Sequence, residues 1–301
     1  MEKKQFKEAY GLTPACMTIW KDDQSYDKKG MEKYLSWLLD NGAQCLSICG
    51  STGENIAMNM EEQREIVAHV LSFIAGEVPV VVGSGRYATL HTVEMSKFAQ
   101  EHGADGVMVI LPYYLAPYKE SVMNAFRELR REVDLNIMIY NNPWFAGYEL
   151  SVEEIKTLVD EGVITSIKAA HGDPDRVQKL KFYCGDKLQV FYGHDYCAME
   201  GLLAGADGWL SGFPAVLPKQ CRSLMDACFA KDVDAARAAQ NKLQPYIDYF
   251  FNDKINGKPH WQEICKYTLQ VQGLDVGWPR RPLGQLDDAN KKKVEKLLAD
   301  M

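Results

Sequence analysis

The sequence predicts an α/β fold of the (β/α)8, or TIM-barrel, class with a C-terminal helical extension. Three observations point there. Eight short apolar runs recur between residues 13 and 212, alternating with longer segments of helical character. Most of these runs are near-continuously apolar instead of alternating, which suits parallel strands buried on both faces. Beyond the eighth run the pattern is helical alone. The catalytic barrel is therefore expected over 1–213, with 214–301 packed on it as an extension. A doubly wound sheet competes, but no GxGxxG follows the first run.

The runs are TPACMTIW (13–20), AQCLSIC (43–49), VPVVVGSG (78–85), ADGVMVILP (104–112), LNIMIYNNP (135–143), VITSIKAA (163–170), LQVFYGHD (188–195) and ADGWLSG (206–212). The helices between them carry their own punctuation. Tyr34, Leu35, Leu38 and Leu39 share a helical face that stops at Gly42. Residues 61–76, 92–103 and 121–133 also read as helices. Ser151 and Glu154 form the signature of a capping box, with a stop at Gly162. Pro174 sits in the first turn of the next helix, and YCAMEGLLAG is the last of the barrel. KQCRSLMDACFA, VDAARAAQNKLQPYIDYFF and DDANKKKVEKLLADM read as helices of the extension.

Composition narrows the function. Of 301 residues, 47% are hydrophobic and 25% charged, with a net charge of -7. No basic stripe is present, so nucleic acid is not expected as a partner. No stretch of 18 apolar residues predicts a membrane span, and the N-terminus MEKKQFKEAYG lacks an apolar leader. A cytoplasmic protein is expected. The eight cysteines form no CxxC pair and no metal-ligand spacing, and read as buried free thiols.

In such a barrel the chemistry lies at the C-terminal strand ends, after Ile48, Val82, Leu111, Ile139, Ile167, Tyr192 and Leu210. After Ile48 comes CGSTGEN (49–55). It is no P-loop, because GxxxxGK[ST] is missing. Its glycines permit a nest of backbone N–H groups, and Ser51 and Thr52 add hydroxyls, a setting for a small carboxylate or phosphate. A plain turn capping the next helix is the alternative. Lys168 lies between Ile167 and Ala169 in an apolar strand. Burial disfavours a charged amine, and a neutral amine in a barrel mouth is what Schiff-base chemistry requires. A lysine paired with a buried acid would look the same. Tyr140, Tyr114 and Ser51 or Thr52 offer hydroxyls for a proton relay.

GSTGE, PYY (112–114), YNNP (140–143), IKAAHGD (167–173), FYGHD (191–195) and GLLAGADG (201–208) together resemble the dihydrodipicolinate synthase / N-acetylneuraminate lyase family over nearly the whole chain. The resemblance implies a class I aldolase in which Lys168 forms the Schiff base with a 2-oxo acid such as pyruvate. It implies Tyr140 as general acid/base, with Ser51 and Thr52 holding the substrate carboxylate. Tyr114 would enter a neighbouring subunit's site and complete a relay that includes Thr52. Gly193, Asp195 and Leu210 would line the substrate, Leu210 through its carbonyl. The resemblance implies no cofactor or metal, and a homotetramer built as a dimer of dimers.

The distal part of the substrate is less legible. Synthases of that family carry an arginine two residues after the YNxP proline; here Phe145 stands there, and an aromatic ring cannot replace a bidentate carboxylate partner. The sialate lyases' threonine two residues after the lysine is Ala170, and their acid after G-x-D is Tyr196. Trp144 and Phe145 predict an aromatic wall, with His171, His194 and Tyr196 as hydrogen-bonding groups. These features favour a 2-keto-3-deoxy sugar acid, a 4-hydroxy-2-oxo acid or an aromatic aldehyde adduct of pyruvate. A dehydratase or deaminase using the same iminium, a synthase proper and a non-catalytic 2-oxo acid sensor are the alternatives.

Overall fold

The computed structural model describes residues 10–251 and 259–301. The N-terminal stretch read above for its lack of a leader lies almost wholly outside the described residues. The strands are β1 (Gly11–Pro14), β2 (Leu46–Ile48), β3 (Val80–Gly83), β4 (Gly106–Ile110), β5 (Asn136–Asn141), β6 (Ser166–Ala169), β7 (Gln189–Tyr192) and β8 (Gly208–Ser211). The helices after β1 to β7 are α1 (Lys28–Asp40), α2 (Met60–Ile74), α3 (Thr89–Glu101), α4 (Lys119–Glu132), the single turn α5 (Pro143–Ala146) leading into α6 (Val152–Asp160), α7 (Pro174–Cys184) and α8 (Ala198–Leu203). They are followed by α9 (Pro218–Phe229), α10 (Val233–Phe251), α11 (Trp261–Val271) and α12 (Asp288–Ala299).

Every strand pair is parallel, in the order β1-β8-β7-β6-β5-β4-β3-β2. A single bridge, Ala15 to Ser47, closes the ring, with Cys16 N–H donating to the Ser47 carbonyl at 2.8 Å. This is the (β/α)8 barrel with C-terminal helices that the alternating apolar runs predict. Side chains of a strand alternate between the two faces. Accordingly Ala15, Cys45, Val81, Met108, Met138, Tyr140, Ala170, Phe191 and Leu210 form an interior cluster. Their neighbours Ile48, Val82, Ile139, Ile167 and Tyr192 pack outward under the helices.

The first run departs from its expected limits. Strand pairing covers Gly11–Pro14, not 13–20, and Met17–Trp20 are buried without a ladder. Burial there serves a different purpose. Met17 N–H donates to the Tyr34 hydroxyl, the Thr18 carbonyl accepts from the Lys266 ammonium, and Trp20 carries Arg280 over its ring at 3.8 Å. An apolar run reports burial; pairing needs a neighbouring strand as well.

The helices keep their sequence signals. In α1, Met31, Tyr34, Leu35 and Leu38 are buried, with Leu39 half-buried at the edge of the stripe. The Ser151–Glu154 capping box is formed in both directions at α6. A second box, Asn59–Glu62, starts α2. The C-terminal helices join the barrel through Phe213, which meets Tyr246 and Phe250 edge-on at 5.3 and 4.9 Å. All eight cysteines are free, and all but Cys197 are buried. Among the described residues no helix is long and apolar enough to cross a membrane.

One glycine ties the barrel wall to the loop after β2. A Cβ on Gly83 would stand 2.3 Å from the Cys49 carbonyl oxygen and 2.9 Å from Gly50 N, both backbone atoms. Gly83→Ala is expected to lower stability by about 2 kcal/mol, seen as a reduced urea midpoint with an unchanged slope. An unchanged midpoint would mean that the loop yields freely.

Candidate active site

Lys168 occupies the middle of β6, in register with Tyr140 on β5 and Phe191 on β7, both members of the interior cluster. Its side chain therefore points into the barrel, and the residue is 5% exposed. The amine lies over the Tyr140 ring, 4.2 Å from the centroid. Space for the chain comes from Gly193: a Cβ there would approach Lys168 Cγ at 2.8 Å and Cε at 3.0 Å. Among the residues anticipated as substrate contacts, Gly193 thus has a steric duty toward the lysine itself.

Tyr140 is fixed by a residue the sequence did not single out. Asn142 Nδ2 donates to the Tyr140 hydroxyl at 2.9 Å, while Asn142 Oδ1 caps α5 by accepting the N–H groups of Trp144 and Phe145. The Asn-Pro pair is a helix-start signal, and it could have located this cap. Asn141, fully buried, accepts Leu150 N–H and donates to Glu149, which pairs with Arg176 at 3.3 Å. The loop that carries Trp144 and Phe145 is thereby anchored at both ends.

The loop after β2 is bracketed by two non-glycine residues in left-handed backbone, Cys49 (φ 55) and Glu54 (φ 62). That conformation costs on the order of 1 kcal/mol each and persists only where the surroundings impose it. Its carbonyls are tied inward. Gly50 accepts from Asn55 N–H, Ser51 from Glu54 N–H and Gln262 Nε2, and Gly53 from the Thr18 hydroxyl. Among the described residues nothing accepts the N–H of Ser51 or Thr52. Thr52 is buried and Ser51 half-buried. Two N–H groups at the turn expected to hold an anion thus remain without an acceptor among the described residues.

At the end of β7, Asp195 is 4% exposed and accepts from Trp209 Nε1 at 3.0 Å and the Ser211 hydroxyl at 2.7 Å. Burial lifts its carboxyl to about 6, against the pull of those donors and of Lys168. Its two oxygens are occupied by β8 side chains, so it braces the mouth of the barrel. Leu210 is fully buried in the interior cluster, in register with Thr13 on β1. Above the mouth, His194 stacks on Phe251 (5.3 Å, 14°), with Tyr196 edge-on to that ring and Trp144 at 6.4 Å from His194. Trp144 and Phe145 are exposed. Burial, with Arg176 and His194 nearby, pushes His171 down to about 3, so it is neutral at ordinary pH. Trp144, His194, Tyr196 and Phe251 thus form one aromatic cluster, to which α10 contributes a ring that strand-end reasoning did not reach.

Tyr114 is not brought to this cluster within one chain. It stands 91% exposed in left-handed backbone (φ 74), beside the exposed Leu115 and Tyr118.

The dihydrodipicolinate synthetase family model matches residues 8–301. The chain belongs to that family. Members are class I aldolase-type lyases, so the chain is a pyruvate-dependent, Schiff-base lyase. Among curated relatives, a 4-hydroxy-tetrahydrodipicolinate synthase of Prochlorococcus marinus (strain MIT 9301) is 32% identical over 291 residues, 96% of this chain and 95% of the relative. A dihydrodipicolinate synthase from Acinetobacter baumannii solved with pyruvate superposes with a TM-score of 0.89 at 28% identity, covering 97% of this chain and 99% of that one. A prophage protein of the same family from E. coli K12, also solved with pyruvate, gives 0.90 at 26% identity, covering 97% and 98%.

A carboxyl whose folded pKa lies above its unfolded value is favoured when protonated. That contribution is complete below about pH 4 and is lost as pH rises through about 6 for Asp195. Asp195→Asn has no such dependence. Its stability relative to wild type is therefore expected to improve by about 1 kcal/mol between pH 5 and 7.5, measured from urea midpoints at both pH values. A difference that stays constant, or moves the other way, would contradict the assigned shift.

Proposed function

We propose that this family member is an aldolase (lyase) that makes or cleaves the C3–C4 bond of a 2-oxo acid through Lys168. The observation that carries the reading is the buried Lys168 amine over Tyr140, with the tyrosine hydroxyl held by Asn142. In this reading Lys168 Nζ attacks the keto carbon and water leaves, giving an iminium. For cleavage, the C4 hydroxyl proton passes to Tyr140 and the C3–C4 electrons flow into the iminium. The enamine that results is protonated at C3, and hydrolysis releases pyruvate and returns Lys168. The iminium is itself the electron sink, so the route calls on no metal or organic cofactor.

Ser51 and Thr52 are assigned to the substrate carboxylate, on the strength of their unaccepted N–H groups and hydroxyls. The carbonyl of Leu210 is assigned to the side facing the lysine, and Gly193 and Asp195 to shaping the mouth. Phe145, Trp144, His194 and Tyr196 are assigned to the distal side, where Phe145 stands in place of the arginine by which the family's synthases would hold a second carboxylate. This supports a substrate whose distal part is uncharged, of the 2-keto-3-deoxy sugar acid, 4-hydroxy-2-oxo acid or aryl type, over aspartate semialdehyde.

Tyr114 is assigned to the site of a neighbouring copy, completing a relay with Tyr140 and Thr52. Its exposure and that of Leu115 and Tyr118 support an assembly, which we take to be a homotetramer in the cytoplasm. Residues 1–213 are taken as the catalytic barrel and 214–301 as its extension.

Borohydride reduction in the presence of pyruvate is expected to add the reduced pyruvate mass to the peptide containing Lys168 and to inactivate the enzyme. Absence of the adduct would refute the mechanism. Tyr140→Phe is expected to lower kcat by roughly a hundredfold or more; turnover at the wild-type rate would remove Tyr140 from acid/base duty. With the preferred substrate, pyruvate plus an aldehyde is the expected product pair, whereas loss of water or ammonia with all carbons retained would make the enzyme a dehydratase or deaminase.

A further inference from the structure

The loop after β2 is held from a distance of more than 200 residues. Gln262, on the first turn of α11 and 6% exposed, donates from Nε2 to the Ser51 carbonyl at 2.9 Å. Four residues further along, Lys266 is fully buried and donates to the carbonyls of Thr18 and Val276, the latter at 2.9 Å. Thr18 in turn donates through its hydroxyl to the Gly53 carbonyl at 2.7 Å. Glu54, at the loop's end, is 2% exposed and accepts from Trp20 Nε1 at 3.0 Å and Arg280 N–H at 2.8 Å. Burial raises the Glu54 carboxyl, and the charge of Lys266 is the largest influence opposing that rise. One face of α11 and the segment after it therefore grip both ends of the loop.

The direction of that grip matters. In a trans peptide the carbonyl and the following N–H point opposite ways. Drawing the Ser51 carbonyl toward α11 aims the Thr52 N–H away from α11. Ser51 O already accepts from Glu54 N–H at 3.0 Å, so Gln262 supplies its second donor. Without that donor the Glu54 N–H alone holds the carbonyl, and the direction of the Thr52 N–H is less firmly set.

We propose that Gln262 is a positioning residue: it fixes the Ser51–Thr52 peptide so that its N–H is presented to the carboxylate of the 2-oxo acid. This rests on the assignment of that loop to the carboxylate in the preceding subsection. Its consequence is that the C-terminal helices contribute to recognition of the invariant end of the substrate. The effect is specific to that end, because among the described residues no hydrogen bond joins Gln262 to Lys168 or Tyr140.

The test compares two ligands of the same lysine. Borohydride trapping is measured against the concentration of pyruvate, and separately against acetone, which has the ketone and no carboxylate. For Gln262→Met, which keeps the chain length and loses the donor, half-saturation for pyruvate is expected to rise about tenfold. Trapping by acetone should be unchanged. Gln262→Glu, an isostere that lacks the donor when ionised, carries the same expectation should the methionine variant fold poorly. Equal half-saturation for pyruvate in wild type and variant would overturn the proposal. So would an equal loss for both ligands, since that would reflect general damage. Failure of wild type itself to be trapped by pyruvate would instead remove the Schiff-base reading, and this inference with it.

Discussion

The rest of the site depends on one steric and electrostatic constraint: a primary amine on a long chain, inside a closed parallel barrel. A charged ammonium is costly to bury among apolar side chains. Lys168 stands in register with Tyr140 and Phe191, which belong to an interior cluster of buried hydrophobic side chains, and the buried carboxyl of Asp195 is close enough to feel its charge. The barrel provides length for the side chain by leaving Gly193 without a Cβ, and a π face by stacking the amine over Tyr140. An alanine at position 193 would compete with the lysine for the same volume. The register Tyr140–Lys168–Phe191 then determines which strand ends can reach a substrate bound to that amine.

Much of this was legible in the sequence because it is written in local pattern. Continuous apolar runs such as VPVVV and IMIY reveal strands covered on both faces, and Lys168 stands out only because its neighbours are Ile167 and Ala169. The Ser151–Glu154 cap follows from spacing alone. The sequence misled where one signal has two causes. Met17–Trp20 is apolar like a strand, but it is buried against Tyr34, Lys266 and Arg280 with no strand beside it. The contacts of Asn142 with Tyr140, of Phe251 with His194 and of Gln262 with Ser51 were not legible in periodicity. The first lay within reach of a capping argument. The other two join residues 57 and 211 positions apart, and only the folded chain brings them together.

Two buried lysines make an instructive contrast. Lys266 is more deeply buried than Lys168, and burial pushes it down to about 8. Yet its ammonium donates to two main-chain carbonyls and faces the charge of Glu54. It is a clasp between α11 and the chain after β1, with its donors engaged. Lys168 sits at the open end of the barrel over a phenol ring. A perturbed amine is therefore not in itself a nucleophile; its partners and its access to the mouth decide the role. The same reasoning separates Asp195, whose oxygens are taken by Trp209 and Ser211, from a free general base.

The most direct measurement is a crystal structure of the protein grown with pyruvate. The expected result is continuous electron density from Lys168 Nζ to the keto carbon, with the carboxylate within hydrogen-bonding distance of the Ser51 and Thr52 N–H groups. Pyruvate bound without a covalent link, attached to Lys266, or with its carboxylate turned toward Phe145 would contradict it.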